Sequence, residues 1–168
     1  NAVVQPMGLY SNKIHSLDDI KADTKIAIPN DPSNGGRALV LLEKAGIIKL
    51  KPDYKGEASI HDVAENPRGV KLVELEAAQL PISLQDLDVA CVPMNYAVSG
   101  GLDVNKQGFY FESRDAKYAL IIIAARPDNV QSPEVQTFVK CYQSPEVAAF
   151  IKEKFKGQIN PAWEQPAK

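Results

Sequence analysis

The chain has 168 residues, 45% of them hydrophobic and 24% charged, enough to bury roughly two thirds of the surface that the unfolded chain exposes, as one globular domain or two small lobes. Lys and Arg number 19 against 21 Asp and Glu, a net charge of −2, so no basic field is available to hold a phosphate backbone and nucleic-acid binding is disfavoured. The longest apolar run, Ala119 to Ala125, is far shorter than the ~20 residues of a membrane-spanning helix and reads as a buried strand.

In chain order, Asn1 to Pro6 contains no charged segment, apolar stretch or cleavage site, so any export signal is expected to have been removed or to lie outside this sequence. Ser16 followed by Asp18 and Asp19 predicts a short capped helix, because a serine oxygen and early acids suit the free N–H groups of a first turn. Lys25 to Pro29 reads as a strand stopped by proline, and Asn30 to Gly36 as the turn-rich loop behind it. Apolar Ala38, Leu39, Leu41, Leu42 and Ala45 then recur at helical spacing until Gly46 ends the run.

Ser59 to Pro67 predicts a second short helix, Val70 to Leu75 a strand, Ser83 to Asp86 a helical turn, and Leu87 to Pro93 a strand. A helix starts at Asn95, and a strand lies near Gly108 to Glu112. Two closing helices, Ser132 to Tyr142 and Ser144 to Phe155, each open with Ser-Pro-Glu, which supplies a cap, a proline at the first helical position and an early acid. The tail from Pro161 to Lys168 reads as loose. Strands alternating with helices predict an α/β fold with a largely parallel sheet.

The most informative stretch for chemistry is Asn30 to Arg37, which sets turn residues and free N–H groups at a helix start, a favourable place for an anion. Arg37 adds a planar two-point fork for a carboxylate. The stretch lacks the lysine and hydroxyl of a phosphate loop and the spacing of a dinucleotide fingerprint, so a small carboxylate ligand suits it better. The other reading of the same residues is a capped loop whose arginine pairs with an acid of the protein.

No GxSxG occurs, and neither Cys91 nor Cys141 has a histidine near it in sequence, so no catalytic residue is assigned. Cys91 sits in the apolar run Val89 to Val92 and is expected to pack as a small buried hydrophobe; the two cysteines show no CxxC spacing, and whether they pair is left open. His15 and His61 read as solvated or capping residues, and no metal or cofactor is expected. Asp18, Asp19, Glu74, Glu76, Asp86 and Asp88 fall on helix starts or water-facing strand positions.

An ordered series of segments carries a resemblance. Pro6 to Ser11, Ile28 to Leu39, Leu41 to Leu50, Glu65 to Pro67, Val73 to Pro81 and Asn95 to Ala97 together resemble the NlpA-type lipoprotein family, the methionine-binding receptors of ABC importers, over nearly the whole chain. The resemblance implies a two-lobed periplasmic-binding-protein fold of type II that encloses its ligand between α/β lobes. It implies a crossover segment at 1–10, a second lobe at 11–108, and crossover strands with terminal helices returning to the first lobe at 109–168. The first lobe is expected to be incomplete in this chain, because the family's first strand and helices would precede Asn1.

Residue by residue, the resemblance matches Arg37 to the arginine that clamps the ligand carboxylate, and adds Asn34, Asn95 and Tyr10 to the expected ligand-binding set. Two positions depart from it. Pro93 stands where the family has an asparagine ahead of the Asn-Tyr-Ala-like motif, and Leu120 stands where a second asparagine follows the crossover tyrosine, here Tyr118. A buried polar group without its partner costs about 1–3 kcal/mol, so losing both amides is expected to weaken methionine by two or more orders of magnitude.

The implied function is a non-enzymatic receptor for methionine or a related amino acid or peptide. It would present the ligand to an ABC permease and ATPase, at the periplasmic or outer face of a bacterial membrane, through a lipid anchor outside this chain. The alternative is a diverged envelope protein of the same fold that has lost tight amino-acid binding and acts through protein contacts. Uncovered apolar faces from Tyr118 to Ala125 and Ser132 to Phe155 also lead to the expectation of a domain-swapped oligomer as one outcome.

Overall fold

The computed structural model describes residues 1–163 and divides into two compact units, Met7–Glu112 and Asn1–Pro6 with the chain from Ser113 onward. The elements of the first half are β1 (Val3–Val4), β2 (Met7–Tyr10), β3 (Lys25–Pro29), α1 (Pro32–Lys44), β4 (Lys49–Leu50), β5 (Val63–Glu65) and β6 (Lys71–Leu75). They continue as α2 (Leu80–Ser83), β7 (Val89–Pro93), α3 (Met94–Ser99), α4 (Val104–Gln107), β8 (Gly108–Phe111), α5 (Pro133–Tyr142), α6 (Pro145–Phe155) and β9 (Asn160–Pro161).

Met7–Glu112 is built on a five-stranded sheet of order β6-β3-β7-β2-β8. β3 runs parallel to β6 and β7, whereas β2 is antiparallel to both β7 and β8, so the sheet is mixed rather than largely parallel. Ile26, Ala27 and Ile28 of β3 are all buried, as expected of a central strand covered on both faces. The core joins Met7, Leu9, Ile26, Ile28, Leu39 and Leu42, among others, each large side chain contributing about 1.5–3 kcal/mol by burial.

α1 explains how its apolar stripe meets β3. Asp31, in extended conformation, caps the helix by accepting the Asn34 N–H at 2.9 Å, and Pro32 occupies the first turn. Gly46, at φ +69°, ends it: its N–H donates to the Glu43 carbonyl at 2.9 Å and that of Ile47 donates to Leu42 at 3.0 Å, the paired bonds of a Schellman stop. The expected loop of Asn30 to Gly36 is therefore corrected, since Asn34, Gly35 and Gly36 lie inside the helix. Glycine is needed there for approach: a Cβ on Gly35 would lie 2.7 Å from the Pro29 carbonyl oxygen, and one on Gly36 3.0 Å from the backbone of Ala58.

Two other expected helices are shorter than their patterns suggest. The Ser16 segment is a single 3-10 turn, Leu17–Asp19. Ser59 starts another, Ile60–Asp62, in which Asp62 Oδ2 accepts from the Ser59 N–H at 2.9 Å and its hydroxyl at 2.7 Å. The chain then turns into β5, antiparallel to β4, because β-branched Val63 pairs with Leu50 in place of a second helical turn.

The other unit holds α5 and α6. Their caps match the sequence pattern: Ser132 accepts the Val135 N–H and Ser144 that of Val147. β1 pairs antiparallel with β9, Val3 opposite Pro161, and Val4, Ala119 and Ala162 are buried together. Pro161 and Ala162 are thus packed rather than loose, and the rest of the expected tail, 164–168, lies outside the described residues. The expected buried strand at Ala119 to Ala125 is also corrected. It forms one bridge, Val4 to Leu120, flanked by the Ile121 N–H donating to the Val3 carbonyl at 2.8 Å and the Gln5 N–H donating to the Ala119 carbonyl at 2.7 Å, with the Ala2 N–H donating to the Ile121 carbonyl at 2.8 Å beyond it. Among the described residues pairing stops there, and Leu120, Ile121 and Ile122 are exposed.

Candidate functional site

Arg37 leaves the second turn of α1 and is buried, despite carrying a charge. Its guanidinium meets the carboxylate of Glu112, just past the end of β8. Nε lies 3.0 Å from Oε2 and 3.3 Å from Oε1, and Nη2 lies 2.5 Å from Oε2. The two side chains are 8% and 7% exposed, so the pair is shielded from the solvent that weakens ordinary surface ion pairs. Glu112 is itself fixed at the edge of the sheet: its Oε2 accepts the Met7 N–H at 3.1 Å, and its own N–H donates to the Met7 carbonyl at 2.9 Å. A two-point, charge-assisted contact of this kind sets the plane of the guanidinium as well as its position.

Both anion-seeking features of the Asn30 to Arg37 stretch therefore face carboxylates of the protein. Asp31 takes an N–H of the α1 start and Glu112 takes the Nε–Nη2 edge of Arg37. A cavity of about 170 Å³ opens beside that helix start, lined in part by Asn30, Asp31, Gly36, Ser59 and Glu74. Its acids make it a poor host for a second carboxylate.

The other expected site residues are spread over this unit and the next. Asn34 donates its amide to Asp31 at 3.1 and 3.2 Å, closing the first turn of α1. Asn95 is exposed on the first turn of α3. Tyr10 is fully buried, with its hydroxyl 3.7 Å from Met94 Sδ and its ring edge-on to Phe111; burial pushes its phenol well above the usual range. Pro93 is buried at the end of β7, where it is the cap residue of α3, and Leu120 belongs to the other unit. Glu112 is the residue that the sequence reading missed. The available signal was an acid closing the aromatic strand Phe109 to Phe111, where water-facing acids are not expected.

Cys91 is buried, which pushes its thiol up, whereas Cys141 is exposed, and neither is in a disulfide. Among the described residues no group of three or more His, Cys, Asp and Glu is arranged to hold a metal, and no helix is long and apolar enough to cross a membrane.

Comparison with known proteins agrees in sequence and in structure. A family described as NlpA lipoprotein matches residues 1–163. The D-methionine-binding lipoprotein MetQ of Escherichia coli (strain K12) is 42% identical over 165 residues, 97% of this chain and 60% of that protein. A nutrient-binding protein from Burkholderia cenocepacia, solved bound to methionine, superposes with a TM-score of 0.89 at 44% identity, covering 96% of this chain and 68% of that one. A periplasmic substrate-binding protein of an ABC transporter from Coxiella burnetii superposes with a TM-score of 0.87 at 41% identity, covering 96% and 67%. The chain spans about 60% of the length of the MetQ relative.

Proposed function

Since the chain belongs to the NlpA lipoprotein family, we propose that it is the substrate-binding part of an ABC importer, a non-enzymatic receptor for methionine or a closely related amino acid or peptide. The observation that carries this reading is the buried, pre-oriented guanidinium of Arg37, gripped along one edge by Glu112, in a chain that superposes on a methionine-bound protein. We assign the Arg37 guanidinium to the ligand carboxylate. Asn95, exposed on the first turn of α3, is assigned to the ligand as well, whereas the Asn34 amide is already given to Asp31. Tyr10 is fully buried and its role is indirect, its hydroxyl donating to Met94 Sδ at 3.7 Å.

The proposed partners are a permease and its ATPase, and the proposed location is the bacterial cell envelope, with a lipid anchor holding the receptor to the membrane. Exposed Ile122, Phe138 and Phe150 support exchange of the terminal segment between two copies, and size-exclusion across a concentration series tests it: a monomer throughout would remove it.

Calorimetry of the native protein with methionine, other amino acids and short peptides tests the reading, which expects saturable heat from methionine or a near relative. Pro93 and Leu120, in place of amides, favour a second reading, an envelope protein that keeps the fold without tight amino-acid binding. A panel giving neither heat nor a thermal shift would decide for the second.

A further inference from the structure

The contact between Arg37 and Glu112 fixes the charge of the site as well as its shape. Both side chains are almost fully buried, and Glu112 Oε2 gathers the Arg37 Nε, the Arg37 Nη2 and the Met7 N–H within 2.5–3.1 Å. The positive charge of Arg37 is thus already balanced by a carboxylate that the backbone holds in place. A second carboxylate arriving on the same guanidinium makes a minus-plus-minus row with one excess negative charge, and in a poorly solvated site that excess is heavily penalised. A zwitterion avoids the penalty because it brings its own ammonium.

We propose that Glu112 is a specificity-determining residue that selects ligands of zero net charge and rejects anions of the same shape. The proposal rests on the reading that Arg37 holds the ligand carboxylate. Its role is electrostatic: a bare Arg37 would attract any small carboxylate, and Glu112 converts that attraction into a test of the ligand's remaining charge.

The test is a charge series of similar shape, titrated into the native protein: methioninamide as the cation, methionine as the zwitterion, and the α-hydroxy analogue of methionine as the anion. Methionine is expected to bind at least about tenfold more tightly than the hydroxy analogue, since like charges brought together in an interface are strongly disfavoured. Equal affinities would overturn the proposal.

Glu112→Gln keeps the size and an acceptor oxygen while removing the charge. It should raise the affinity of the anion and lower that of the cation, each by about tenfold or more relative to methionine. A merely structural role for Glu112 would move all three ligands by one common factor, and that outcome overturns the proposal. Should the variant not fold, the native-protein series decides alone. Methionine binding that is indifferent to Arg37→Lys would instead remove the underlying reading of Arg37, and no binding of any of the three ligands would remove both.

Discussion

Arg37 Nη2 lies 2.5 Å from Glu112 Oε2 although the two residues are 75 positions apart in the chain. The contact ties the first half of α1 to the end of β8, and through Met7 to the start of β2. Removing either partner alone strands a buried charge, so Arg37→Ala or Glu112→Ala should each destabilise the protein by about 3–5 kcal/mol. Replacing both together, as Arg37→Met with Glu112→Leu, should recover most of that loss, because neither charge is then left behind. Urea denaturation of the three variants checks this, and equal losses in the single and double variants would contradict it.

Pro93 is the cap residue of α3 but offers no side-chain acceptor to its first turn. Pro93→Asn should stabilise the start of α3 by about 0.5–2 kcal/mol through a new cap, and should strengthen methionine binding by about tenfold if the amide reaches the ligand. Leu120→Asn, at an exposed position, should leave stability within about 0.5 kcal/mol. Thermal melts and calorimetry on the separate variants distinguish the cap effect from the ligand effect. A more stable Pro93→Asn protein with unchanged affinity would confine the substitution to a capping role.

Acid should loosen the two terminal helices. The Glu134 and Glu146 carboxyls are held below their ordinary range, first by their own backbone N–H groups and then by the hydroxyls of Ser132 and Ser144. Because the folded-state pKa is the lower one, the stabilisation is fully present above the ordinary glutamate value of about 4.3 and is lost as pH falls through the folded value. Melting temperature should therefore drop across that window. The drop should be shallower in Glu146→Gln, and identical acid limbs in the two proteins would dismiss the assignment.

The two thiols should differ in reactivity. Cys141 is exposed and Cys91 is buried in the sheet core with its thiol pushed up, so a water-soluble thiol reagent should modify Cys141 in the native protein and Cys91 only after unfolding. Mass spectrometry of the labelled peptides reads the outcome directly. Prompt labelling of Cys91 under native conditions would mean that β7 is open to solvent.

Much of the fold was legible where the signal is local. The Ser-Pro-Glu openings of α5 and α6, the β3 run Lys25–Pro29 and the Gly46 stop all depend on neighbours within a few residues, and each appears as read. The start of α1 was misread because two glycines argue against a helix unless the close approach to Pro29 and Ala58 is known. The run after Ala119 differs because an apolar composition favours burial, whereas packing from sequence-distant residues decides how much of its faces is covered. At the site, Arg37 stood out through its loop. Glu112 did not, because its significance comes from a partner that only tertiary structure brings near.

The most direct test of the account is calorimetric titration of methionine into the native protein and into Arg37→Lys. Lysine keeps a positive charge for Glu112 but cannot form the planar fork that would grip two carboxylates at once. The account predicts that the folded variant loses about tenfold to a hundredfold in affinity, equivalent to about 1.4–2.8 kcal/mol. Unchanged methionine affinity in a folded Arg37→Lys protein would contradict it.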